Sequence, residues 1–136
     1  MYPEYLVAPM RQELTNAGFQ DLRTADEVDQ AIKSEGTVLV MVNSVCGCAA
    51  ANARPAARIS TQNEKHPDRF VTVFAGMEKE AVDQARAHML PYPPSSPAIA
   101  LFKDGKLVHM IERHQIEGRP AQMIADNLSQ AFDQYC

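Results

Sequence analysis

TVLVMVNSVCGCAAANARPAA, residues 37–57, decides the fold. Thr37 to Ser44 is Val-rich and apolar on successive residues. That pattern fits a strand covered on both faces rather than an amphipathic one. An Ala-rich helical stretch follows at once, interrupted only by Pro55. Two cysteines, Cys46 and Cys48, sit at the corner between strand and helix, with Gly47 between them.

Working outward, residues 5–18 predict a helix with Leu6, Met10 and Leu14 on its buried face, strained by Pro9 and stopped by Gly18. Thr24-Ala-Asp-Glu27 has the spacing of a capping box and opens a second helix, with Val28 and Ile32 as its apolar stripe and Gly36 at its end. Phe70 to Ala75 predicts a second strand, and Met77 to Leu90 a helix. A proline-rich connection, Pro91 to Pro97, leads into a strand at Ala98–Phe102. Asp104-Gly105 forms the tip of a hairpin whose return strand is Leu107–Ile111. Pro120 opens a last helix with Ile124, Leu128 and Phe132 facing the core. The order β-α-β-α-β-β-α, after one or two N-terminal helices, predicts one domain over residues 1–136. It implies a parallel pair of strands, an antiparallel edge, and helices on both faces of one mixed sheet.

The chain has 136 residues, 46% of them apolar, enough for a real core. A formal net charge of −4 without a Lys/Arg cluster argues against nucleic acid. The longest purely apolar run, Val38 to Val42, is far short of a membrane span. The N-terminus lacks a basic start followed by an apolar stretch, so no signal peptide is read and the expected place is the cytoplasm. Three cysteines are too few for a disulfide-built secreted domain.

A cysteine entering the first turn of a helix meets unpaired N–H groups and the positive end of the helix dipole, both of which favour the thiolate. Cys46 is so placed and is the expected nucleophile, with Cys48 as its resolving partner. One intervening residue makes a tight ring, so a Cys46–Cys48 disulfide is expected to be labile even with Gly47 to relax the backbone. Two other readings stay open. The pair could be inert core residues, or C-x-C could hold a metal with Cys136, His109 or His114, although zinc sites prefer a wider spacing. Ser96-Pro97 stands before an apolar strand, where a cis bond would suit the geometry.

The segments VNSVCGCAAANARPAA (42–57), VTVFAGMEKEA (71–81), PPSSPAIALF (93–102) and RHQIEG (113–118) resemble those of the bacilliredoxins, a thioredoxin-like family earlier described as disulfide isomerases, with CGC in place of C-x-x-C. The resemblance covers nearly the whole chain. It implies an α/β/α sandwich around a mixed sheet of about four strands, with an N-terminal helical extension. It also implies an activity, the removal of bacillithiol from mixed disulfides on client proteins. Cys46 would attack, and Cys48 or a second bacillithiol would release the adduct. The cofactor expectation is none tightly bound, with bacillithiol as co-substrate, no metal, and recycling by a flavin-dependent disulfide reductase.

By the same resemblance, Ser96 and Pro97 would offer backbone to substrate, and Asn43 and Ser44 would line the site. Arg54 and Arg58 would either attract the carboxylates of bacillithiol's malate or be solvated helix charge. Cys136 is a candidate third redox thiol. Two features depart from thioredoxins: strand 37–45 carries no buried carboxylate to accept a proton, and Val45 replaces the usual Trp. The competing functions are a general disulfide isomerase or reductase, and a non-catalytic binding module with thiolate metal ligands.

Overall fold

The structure is a computed structural model describing residues 1–136. Its elements are α1 (Glu4–Thr15), β1 (Gln20–Asp21), α2 (Ala25–Lys33), β2 (Thr37–Asn43), a π-helical turn (Ala49–Ala53), α3 (Arg54–Ser60), β3 (Arg69–Phe74), α4 (Lys79–His88), β4 (Ala98–Lys103), β5 (Lys106–Ile111), α5 (Arg113–Ile116) and α6 (Ala121–Tyr135). One sheet has the order β1-β3-β2-β4-β5. Strands β1, β3 and β2 run parallel, and β4 and β5 are antiparallel additions. The expected four strands become five. The extra one, Gln20–Asp21, has two residues and no periodic pattern by which it could be read.

All seven residues of β2 are buried. Strand side chains alternate between faces. Val38, Val40 and Val42 therefore join the core under α2 and α4, while Leu39 and Met41 join the core under α1, α3 and α6. The same period puts Asn43 on the Leu39 side, facing α1 and α3. Thr24 and Glu27 form the predicted capping box. Asp104 (φ 51°) and Gly105 (φ 82°) turn the β4–β5 hairpin in left-handed conformations suited to Asp-Gly. The Asp104 carboxylate accepts a bond from the Gly36 N–H at 2.8 Å and so ties the hairpin to the start of β2.

Helix α1 differs from its expected face. Val7, Arg11 and Leu14 are buried, whereas Leu6 is 43% exposed. The shift of one position follows from Arg11. Its guanidinium donates to Glu78 at 2.8 and 3.0 Å, to Asp21 at 3.3 Å and to Glu4 at 3.2 Å, and it lies 5.2 Å from the centre of the Phe74 ring. An arginine with three carboxylates and an aromatic face can be buried where an unpaired one could not. It fastens α1 to β1 and to the entry of α4.

Candidate active site

Beyond Asn43 the chain leaves β2 and turns into the helix that carries the cysteines. The Cys46 carbonyl accepts from the N–H groups of Ala49 at 3.0 Å and Ala50 at 3.2 Å, opening the first turn. The Ser44 hydroxyl accepts from the Cys46 N–H at 3.1 Å. The turn from Ala49 to Ala53 is π-helical, with the Arg54 N–H bonded back to Ala49. This wider turn precedes Pro55, which has no N–H to give and whose ring crowds a regular α-turn.

Cys46 and Cys48 are free thiols, half-buried, with their Sγ atoms 2.7 Å apart. Their acidities diverge. Burial alone would raise the Cys46 pKa, but hydrogen bonds from the Cys48 thiol, the Ser44 hydroxyl and the N–H groups of Ala49 and Cys48 outweigh it and lower it. Burial raises the Cys48 pKa, and the neighbouring Cys46 thiolate raises it further, against the opposing charge of Arg113. Of the two, Cys46 is the thiol whose ionised form the site favours, and Cys48 is the one that holds its proton more tightly. Cys48 also packs against the core shared by α3 and α6, while Cys46 lines an open cleft of about 370 Å³.

The Ser96–Pro97 bond is cis, and Ser96 lines the same cleft as Cys46. Arg113 was not among the sequence-selected residues, although it opens the RHQIEG segment. Its backbone N–H donates to the Ser95 hydroxyl at 2.7 Å and its side chain to the Ser96 carbonyl at 3.3 Å. Its charge is felt by both thiols, which in turn help to raise its own pKa behind the Glu117 bond. Nothing in the helical or strand periodicity marks it, because its role arises from the β4 and β5 ends meeting at the cysteine corner.

Three expected site residues are placed otherwise. Arg54 is 2% exposed and points inward, not toward substrate. Its Nη1 donates to the Ser44 carbonyl at 2.8 Å and to Asn43 Oδ1 at 3.1 Å, and its Nε lies 3.1 Å from Glu13 in an ion pair. Asn43 is 1% exposed, and its side chain is spent on Arg54, the Ser44 N–H and the Met10 carbonyl. Arg54 and Asn43 thus brace the strand-to-helix corner from beneath. Arg58 pairs with Glu13 at 2.8 Å. Cys136 packs near Thr37, at the opposite end of β2 from Cys46. Seven strand residues separate those ends by about 20 Å, beyond the reach of a disulfide, so Cys136 cannot act as the third thiol within one folded chain. Cys136 is exposed overall, but partial desolvation of its thiol raises its pKa, and the charges of Asp68 and Asp133 add to this against a bond to Thr37 and the charge of Lys103. His109 bonds Asn127 at 2.6 Å, in keeping with a structural role.

Comparison with known proteins agrees with this geometry. A family model described as disulphide isomerase matches residues 2–136. A bacilliredoxin of Cytophaga hutchinsonii is 58% identical over 134 residues, covering 98% of this chain and 99% of that protein. The chain belongs to the bacilliredoxin family. A second bacilliredoxin, from Staphylococcus haemolyticus, is 54% identical over 136 residues, covering all of this chain and 94% of its own. Among solved structures, a mutant thioredoxin from Halobacterium salinarum superposes with a TM-score of 0.61 at 18% identity, over 88% of this chain and 91% of that one. A thioredoxin from Trypanosoma brucei brucei gives the same score at 16% identity, over 87% and 90%. The bacilliredoxin chain described here therefore has the thioredoxin fold and is a thiol–disulfide oxidoreductase. No helix in it is long and apolar enough to cross a membrane.

Proposed function

We propose that this protein removes bacillithiol from mixed disulfides on client proteins. The carrying observation is the division of labour between the two thiols, with Cys46 the more acidic and facing an open cleft, and Cys48 the less acidic at 2.7 Å. The Cys46 thiolate attacks the bacillithiol sulfur, the client sulfur leaves as thiolate, and Cys46 carries bacillithiol as a mixed disulfide. Cys48, losing its proton to solvent or to the departing thiolate, then attacks Cys46. Bacillithiol leaves and a Cys46–Cys48 disulfide remains. A second bacillithiol thiolate can release the first instead. A flavin-dependent disulfide reductase, with bacillithiol as carrier, resets the cycle in the cytoplasm.

The test is intact mass after brief exposure of reduced wild type, Cys46→Ala and Cys48→Ala to bacillithiol disulfide. An adduct held on Cys48→Ala and absent from Cys46→Ala supports the reading; an adduct on Cys46→Ala alone reverses the roles. The second reading, a general disulfide isomerase, is favoured by the description of the matching family. It predicts that the protein reactivates a scrambled disulfide protein as fast as it clears a bacillithiolated one.

A further inference from the structure

The cleft beside Cys46 has a charge pattern that the thiol exchange itself does not use. It is lined by Arg86 from α4 and Arg113 from α5, and no carboxylate lines it. Arg113 is already bonded to Ser96 and to Glu117. Arg86 makes no ion pair, and its Nε is buried with no hydrogen-bond partner. The charge of Arg86 is therefore balanced by no carboxylate of the protein, and its side chain lines the cleft.

The Tyr2 ring, seated on Gly76, also lines the cleft. That glycine has φ +90°, and a Cβ there would lie 2.8 Å from the ring, so both the turn and the close approach call for glycine. The N-terminal segment and the β3–α4 turn thereby help to shape the cleft that Cys46 lines.

We propose that this cleft is an anion subsite in which Arg86 and Arg113 hold the carboxylates of a small thiol while its sulfur meets Cys46. The inference rests on Cys46 being the nucleophile, and it assigns the residues that determine specificity. A carboxylate-bearing disulfide would find complementary charge next to the attacking sulfur; a neutral or cationic one would not. Chemically, the Cys46 thiolate attacks one sulfur of the small disulfide, forms a mixed disulfide, and expels the other half as thiolate.

The experiment measures the second-order rate of adduct formation by intact mass, in a Cys48→Ala background so that the adduct accumulates. The probes are dithiodipropionate (anionic), hydroxyethyl disulfide (neutral) and cystamine (cationic). Each is run against the parent, Arg86→Gln, Arg86→Lys and Arg113→Gln. The readout is the anionic-to-neutral rate ratio within each protein. It cancels any change in Cys46 acidity caused by losing Arg113, and leaving-group acidity cancels when proteins are compared. The ratio should fall roughly fivefold in Arg86→Gln, the effect of one partly exposed ion pair, and recover in Arg86→Lys. An unchanged ratio in both Gln variants, with Cys46 still reacting, overturns the subsite and leaves the nucleophile assignment standing. Failure of the parent to react with all three disulfides overturns both.

Discussion

Replacing Arg54 by Met separates a brace from a substrate contact. The Met side chain fills much of the same space but removes the donor that satisfies the Ser44 carbonyl at 2.8 Å and Asn43 Oδ1 at 3.1 Å, together with the ion pair to Glu13. Asn43 Oδ1 keeps its bond from the Ser44 N–H, so the Ser44 carbonyl suffers most. Two bonds from a charged donor are worth about 1.5 kcal/mol each at the low end, and an orphaned buried carbonyl adds about 1 kcal/mol. Relief from holding a guanidinium 2% exposed offsets part of this. The net expectation is a loss of about 3 kcal/mol, or about 10 °C in Tm for a chain of this size. Urea unfolding followed by circular dichroism measures it. Arg54→Lys should lose nearly as much, because an ammonium cannot reach both acceptors and Glu13 in the same plane. A loss below about 0.5 kcal/mol, combined with slower clearance of bacillithiol, would refute the brace and return Arg54 to the substrate side.

Ser44→Ala removes one of the bonds that acidify Cys46, and it should raise that thiol's pKa. Thiolate absorbance titrated against pH reads the shift, and an unmoved curve counts against the hydroxyl's part. The sign also bears on stability. A cysteine whose folded pKa is depressed contributes stability above its unfolded pKa and loses it as pH falls through the folded value. The stability gap between wild type and Cys46→Ala should therefore widen as pH rises through that window, as measured by urea titrations at several pH values. Cys136→Ser should leave turnover unchanged. Peptide mapping of oxidised wild type should find no intramolecular bridge from Cys136 to either site cysteine, whereas such a bridge would contradict the separation along β2.

Much of the architecture is legible in the sequence because hydrophobic burial writes it there. Residues 37–43 are apolar on both faces and prove to be the buried central strand, and Asp104-Gly105 turns the hairpin. The CGC corner is legible for the same reason, since a buried strand running into an Ala-rich helix leaves few places for the thiols. What escapes is whatever depends on partners distant in sequence. Arg54 is read as a substrate contact or as solvated helix charge, and nothing in the sequence marks Arg11, because only Glu78, Asp21, Asn43 and Glu13, brought in by folding, make their burial tolerable. The face of α1 is misread for the same reason. Arg86, Arg113 and Tyr2 reach the cleft from three separate elements and share no motif. Strand β1 is two residues long, too short to carry a period.

The π-helical turn between Cys48 and Arg54 can be viewed as an inserted residue that the helix has absorbed without passing it on. An α-turn closes one residue earlier, and each residue of an α-helix advances about 100° around the axis. Ala50 and Ala51, both exposed, are where such a residue can be lost without opening the core. Deleting either one would allow the helix to close as a regular α-turn. Arg54 would stay locked to Asn43, and the CGC face would swing around the axis away from Ser96. Substituting either alanine would leave that phase untouched. The distance in residues from the cysteines to the buried arginine is therefore itself a setting of the active site, one that evolution or design could change by length alone.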